Sequence, residues 1–183
     1  MRTLMVGAAQ LGPIARRDNR AGVVARLVAL MREAGARHCD LVVFPELALT
    51  TFFPRWYMQD QDEIDAFFER AMPSNETAPL FEEARRLRIG FYLGFAERVD
   101  EGGRTRRFNT SILTNRDGEI VLKYRKIHLP GHAEHDPRRS FQHLEKRYFE
   151  VGDLGFPVVR NMDARMGMCI CNDRRWPETY RVM

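Results

Sequence analysis

A chain of 183 residues, 44% apolar and 30% charged, is long enough to bury one sizeable core and too short for two comfortable ones, so a single domain over residues 1–183 is expected. Its net charge of +4 comes from scattered arginines rather than one block, and no apolar run is long enough to span a bilayer, so neither a nucleic-acid partner nor a membrane is expected. Three cysteines without a framework spacing suit a reducing cytoplasm better than a bridged, secreted domain.

The start, MRTLMVGAAQLGPIARR, reads as a first strand rather than a signal segment, because Gly7 interrupts its short apolar run. Leu4 to Leu11 fits a strand covered on both faces and closed by Gly12-Pro13. Asp18 offers an N-cap for a helix whose period runs through Val24, Leu27, Val28, Met31 and Ala34 and stops near Gly35. In DLVVFPE, residues 40–46, Leu41 to Phe44 make a second buried strand, Pro45 stops its ladder, and Glu46 is left at the carboxyl end, where α/β folds place reactive groups. Strand, helix, strand implies a parallel pair and an α/β class. The aromatic loop Ala48 to Met58 walls a pocket or caps the core. Helices are predicted through Ile64, Phe67, Phe68 and Ala71 after Asp60, and through Leu80, Phe81, Ala84 and Leu87 after the break at 73–77. IGFYLGFAERV and RRFNTSILTN read as a hairpin about Asp100 to Arg104, and a turn at Asn115 to Gly118 leads into EIVLKYRKIHL.

That last strand carries Leu122, Tyr124, Lys126 and His128 on one face and Val121, Lys123, Arg125 and Ile127 on the other. If the first face is inward, Lys126 is a buried ammonium, costly unless a carboxylate or a reaction intermediate meets it; if the strand is an edge, its lysines stand in water. Residues 129–155 form a polar connection with His132, His135, His143 and Glu145, of a length usually functional or disordered. His132, His135 and the cysteines lack a structural-zinc spacing, so no metal is expected and solvated loop histidines are the default. PVVRNMDARMGMCIC then reads as a hairpin ending in MGMCICNDRRWPE, where Cys169 and Cys171 share one face of a strand. Cys169 sits inside the apolar run as a small inert hydrophobe, whereas Cys171 precedes the polar break Asn172-Asp173 and a helix starting near Pro177. Arg174 and Arg175 are either cations that favour an ionised sulfur and fork a substrate carboxylate, or solvent-facing charge at a helix start.

Glu46, Lys126 and Cys171 thus stand at comparable strand ends and supply a proton carrier, a cation for an oxyanion and a nucleophile, the set that acyl transfer from a stable amide requires. FPELALT, KYRKIHL and CICNDRRWPE, in that order, resemble the Glu, Lys and Cys motifs of the nitrilase (carbon-nitrogen hydrolase) superfamily, over essentially the whole chain. Within it, FPELALTTFFPRW, RRFNTSIL, YRKIHLPGH, FQHLEKRYFE and CNDRRWPE are similar to the N-carbamoyl-D-amino-acid amidohydrolase branch. The resemblance implies a four-layer α-β-β-α sandwich that forms homo-oligomers through its helices. It implies hydrolysis of a small-molecule N-carbamoyl-D-amino acid to the D-amino acid, carbon dioxide and ammonia, without cofactor or metal. It implies Glu46, Lys126 and Cys171 as a catalytic triad, Glu145 as a further acid supporting it, and His128, His143, Asn172, Arg174 and Arg175 as lining the substrate site. It also implies a chain that continues past Met183, so an incomplete sandwich is expected here, its last helix only about two turns long and without a C-cap. The competing readings are an amidase or nitrilase for uncharged substrates and a non-catalytic fragment.

Overall fold

The structure, a computed structural model that describes residues 3–183, begins with the strand–helix–strand unit anticipated from the sequence. β1 (Val6–Ala8) and β2 (Leu41–Val43) pair in parallel with Val6 opposite Leu41, and α1 (Arg20–Ala36) crosses between them. The helix starts one residue later than expected. Asn19 is the N-cap, accepting from Gly22 N at 2.8 Å, while Asp18 instead accepts from Ala15 N at 2.9 Å and closes the preceding turn. β1 is also shorter than the apolar run suggests and is not covered on both faces: Met5 and Val6 are half-exposed, because β1 lies at one end of the sheet.

After the aromatic loop, α2 (Gln61–Asp65) opens on Asp60, whose carboxylate accepts from Asp62 N. It ends before Phe67 and Phe68, which pack inward from a turn rather than from a helix face. α3 (Ala78–Leu87) follows, with Leu80, Phe81 and Ala84 buried. β3 (Gly90–Glu101) pairs in parallel with β2, and β3, β4 (Arg104–Thr114) and β5 (Ile120–Arg125) form the expected antiparallel meander, so one five-stranded sheet runs β1-β2-β3-β4-β5. The connection 129–155 is not structureless, since it contains α4 (Glu145–Tyr148) with Leu144, Glu145, Tyr148 and Phe149 buried. β6 (Val158–Asn161) and β7 (Ala164–Gly167) make the second hairpin, and α5 (Pro177–Val182) closes the chain. β7 stops at Gly167, so Cys169 and Cys171 do not share a strand face; they lie on the irregular segment beyond it.

Two apolar layers sandwich the sheet. On one face Leu27 and Met31 of α1 and Leu80 and Phe81 of α3 meet Phe44, Phe91, Leu93 and Ile112. On the other, Leu41, Leu113 and Tyr124 meet Met168, Ile170, Val159 and Met166. The layers therefore stack helices, sheet, second sheet, in the α-β-β order of the expected sandwich. Among the described residues no helix is long and apolar enough to cross a membrane.

The end of β5 is fixed by charge. Arg125, 5% exposed, donates to Glu97 at 2.9 Å, Glu101 at 2.7 Å and Asp153 at 2.9 Å, and lies 3.9 Å from the Phe108 ring centre. Burial works to raise the Glu97 carboxyl, but the bonds from Arg125, Lys123 and Thr110 outweigh it and hold the group below its ordinary range. Arg125→Ala strands a buried carboxylate and should cost about 3–5 kcal/mol in urea unfolding at neutral pH. Because the folded-state value of Glu97 is depressed, this stabilisation is present above its unfolded value of about 4.3 and lost as pH falls through the folded one, so the gap between the two proteins should narrow below about pH 4.

Candidate active site

Glu46 sits just past β2, on a turn that the sheet pulls close. Phe44 N donates to Tyr92 O at 3.0 Å and Ala48 N to Gly94 O at 2.8 Å, with Glu46 between these two ties to β3. Position 94 requires glycine, since a Cβ there would stand 2.9 Å from Pro45 O and 3.0 Å from Glu46 Cα. Lys126 is the first residue beyond β5; its backbone N–H donates to Asn109 O at 2.8 Å and its carbonyl accepts from Gly152 N at 2.9 Å, which fixes the side chain away from the Arg125 face. β5 is the terminal strand of the five-stranded sheet, yet Lys126 is fully buried. The inward reading of the strand is the correct one.

Two carboxylates then converge on one ammonium. Lys126 Nζ donates to Glu46 Oε1 at 2.6 Å and to Glu145 Oε2 at 2.7 Å, and Asn109 Nδ2 donates to Glu46 Oε1 at 2.7 Å and reaches Glu145 Oε2 at 3.4 Å. Glu145 is itself fully buried and its second oxygen meets His143 Nε2 at 3.1 Å. Burial opposes the charge on Lys126, but the two carboxylates beside it raise its pKa above the ordinary lysine value. Burial dominates at Glu145 and pushes that carboxyl up, although Lys126 pulls it down.

Cys171 faces this cluster from the turn Cys171–Arg175 with φ of 47°, a left-handed conformation that costs a non-glycine residue about 1–3 kcal/mol and is kept only where the surroundings over-determine it. The residue as a whole is exposed, while partial burial of its sulfur, the charge of Glu46 and a hydrogen bond to Glu46 raise the thiol; Lys126 opposes them. This corrects the expectation that Arg174 and Arg175 hold the sulfur ionised. Arg174 Nη1 donates to Cys171 O at 2.8 Å and lies 4.0 Å from Sγ, and Arg175 is exposed. Cys169 is half-buried, its thiol raised by burial and by Asp173.

The remaining sequence candidates divide into two groups. His128 and Asn172 join the site's frame: Asn172 Nδ2 donates to His128 O at 3.0 Å, and the His128 ring stacks 4.9 Å from Trp176. His143 reaches Glu145 and packs edge-on against Phe52. His132 touches it through its backbone, its N–H donating to His143 O at 3.0 Å, and His135 stacks on Tyr57 at 4.2 Å and bonds Gln142. Among the described residues no three His, Cys, Asp or Glu side chains are grouped to hold a metal. Two members of the site escaped the sequence reading, Asn109 and Asp173. Asparagine and aspartate are depleted from strands, so the polar run Asn109-Thr110-Ser111 between Phe108 and Ile112 was the available signal for the first.

A buried lysine thus stands between two carboxylates, with a cysteine at a strained turn near one of them, in a fold of the α/β class. The carbon-nitrogen hydrolase family model matches residues 5–183, and the chain belongs to that family. N-carbamoylputrescine amidase of Arabidopsis thaliana is 30% identical over 162 residues, 87% of this chain and 48% of the relative. Citrullinase of Francisella tularensis is 26% identical over 91% of this chain and 53% of its own length. A carbon-nitrogen hydrolase structure from Helicobacter pylori superposes with a TM-score of 0.77 at 24% identity, covering 98% of this chain and 56% of that one. The fold is thus of the nitrilase type, and the chain spans about half the length of the curated relatives it matches.

The electrostatics give a direct check in the free protein. The pH midpoint for iodoacetamide alkylation of Cys171, followed by mass spectrometry, should lie above the ordinary thiol value of about 8.5. Glu46→Gln should lower it and Lys126→Met raise it, since Glu46 disfavours and Lys126 favours the thiolate.

Proposed function

We propose that the protein hydrolyses N-carbamoyl-D-amino acids to the D-amino acid, carbon dioxide and ammonia through a covalent cysteine intermediate. The observation that carries this reading is the Lys126 ammonium, buried between Glu46 and Glu145, with Glu46 near enough for its charge to raise the Cys171 thiol. In this mechanism Glu46 takes the Cys171 proton as general base, and the thiolate attacks the ureido carbonyl. Lys126 and a backbone N–H just after Cys171 stabilise the oxyanion, a contribution of about 3–4 kcal/mol for a well-aimed donor. Glu46 then protonates the departing nitrogen and activates the water that frees the enzyme. Glu145 supports the triad by bracing Lys126, and His128, His143 and Asn172 line the substrate site.

Support for a carbamoyl substrate comes from the motif resemblance and from similarity to an N-carbamoylputrescine amidase. Support for a substrate carboxylate comes from the exposed guanidinium of Arg175 beside the nucleophile turn, Arg174 being engaged by Cys171 O. The same reading takes the whole protein to be a cytoplasmic homo-oligomer that uses no cofactor or metal and engages neither nucleic acid nor membrane; Cys39, Cys169 and Cys171 are unbridged. The competing substrate class is an uncharged amide or nitrile, for which Arg174 and Arg175 would be solvent-facing charge.

Ammonia release from N-carbamoyl-D-amino acids by the protein tests the reading. Cys171→Ala should lower turnover by about 10²–10³-fold or more with the fold intact, and Lys126→Ala should lower it as much while also costing about 3–5 kcal/mol of stability, because it strands two buried carboxylates; Cys169→Ala should cost only about 1 kcal/mol of packing and little activity. Substantial turnover in Cys171→Ala would remove the mechanism. Arg175→Ala should lower kcat/KM for an N-carbamoyl amino acid by about 10- to 100-fold and leave a neutral urea analogue nearly unaffected; equal losses on both would identify a structural arginine.

A further inference from the structure

We infer that Asp173 is the positioning residue that sets Cys171 against Lys126, a role that rests on the reading of those two side chains as the reacting groups. Its carboxylate is completely buried and accepts at both oxygens. Oδ1 receives His128 N at 3.0 Å and pairs with His128 Nδ1 at 2.8 Å; Oδ2 receives the Tyr124 hydroxyl at 2.8 Å and Ile170 N at 2.9 Å. These partners bracket each reacting residue. Tyr124 and His128 lie two positions either side of Lys126, while Ile170 and Asp173 itself flank Cys171 on its turn.

One carboxylate therefore ties the lysine segment to the nucleophile turn. The tie is stiff on both sides: Asp173 N donates back to Ile170 O at 3.1 Å, and Asp173 O accepts from Trp176 N and from Thr179 Oγ1, each at 3.1 Å. Asn172 Nδ2 on His128 O adds one parallel link. The left-handed φ of Cys171 is closed within this ring of bonds, so loosening Asp173 lets the turn relax and carries the sulfur away from Glu46 and Lys126.

Only a carboxylate satisfies this arrangement. With two donors at each oxygen, an asparagine of the same size accepts from one pair and turns its NH₂ toward the other. The role is distinct from a purely structural one because it predicts a loss of coupling between side chains and not merely of stability.

The test is the alkylation pH profile of Cys171 in the protein, measured for Asp173→Asn alone and combined with Glu46→Gln, with far-UV circular dichroism as the control for folding. In the wild-type background Glu46→Gln should change the alkylation rate about fivefold or more, and in the Asp173→Asn background that response should collapse while the midpoint moves toward an ordinary thiol. A lower Tm with an unchanged profile and an undiminished response to Glu46→Gln would show that Asp173 only stabilises the fold, and would overturn the proposal. Tyr124→Phe removes one of the four donors and keeps the ring; it should displace the midpoint in the same direction by less, and it decides the matter if Asp173→Asn fails to fold, an unchanged profile again overturning the role. Alkylation needs no substrate, so failure to release ammonia from N-carbamoyl amino acids would count against the substrate assignment and leave this result standing.

Discussion

An ammonium with no solvent exposure must be neutralised where it stands, and the need to do so for Lys126 constrains most of this structure. Desolvating a charge is affordable only when opposite charge and hydrogen bonds replace the lost water. Here the replacements come from distant parts of the chain, Glu46 from the end of β2 and Glu145 from the long connection after β5, while Asn109 from the middle of β4 donates to both carboxylates. Each must be delivered to within hydrogen-bond reach, which explains the close approach of Gly94 to the Glu46 turn and the burial of α4 in an otherwise polar segment.

The neighbouring residue answers the same requirement on the opposite face. Arg125 and Lys126 are consecutive at the end of a strand and point apart, so β5 terminates between two buried cations, one met by Glu97, Glu101 and Asp153, the other by Glu46 and Glu145. A slip of one residue would turn the strand's apolar side chains to the wrong face, and the two opposed ion clusters add to that penalty, because the slip would also exchange the cations between faces and leave five carboxylates wrongly paired. The register that puts Thr110 opposite Arg125 is thereby fixed next to the site that depends on it.

Much of this was legible in the sequence because the signals were local. The parallel unit, the β3–β4 hairpin and the start of α2 at Asp60 follow from period and turn chemistry, and Glu46 was placed by the proline that ends its strand. Whether Lys126 faced water or core was not, since an edge strand and a buried one share the same alternation; only the arrival of Glu145, nineteen residues on in an irregular segment, decides it. Asp173 was passed over for a related reason. A polar residue in a turn looks solvated until the strand it reaches for is in place, and both Tyr124 and His128 are more than forty residues away. Electrostatics is non-local in the same way: Arg174 and Arg175 are the cations nearest Cys171 in sequence, whereas Lys126, far from it in the chain, favours its thiolate.

The raised thiol of Cys171 fits the proposed chemistry better than a permanently ionised sulfur would. Burial and the charge of Glu46 raise the Cys171 thiol, so a thiolate added beside an unchanged Glu46 would be opposed by like charge. Proton transfer from Cys171 to Glu46 avoids this, because it moves one negative charge from oxygen to sulfur and leaves the total unchanged. Lys126, bonded to Glu46 and lowering the pKa of Cys171, favours the carboxylate before the transfer and the thiolate after it. Little reorganisation of the surroundings is then required, which is the circumstance in which fixed charges lower a barrier most effectively. Such compensation works only while sulfur, carboxylate and ammonium keep their separations, and so the chemistry of the triad leads back to the bonds that hold the turn and the strand end together.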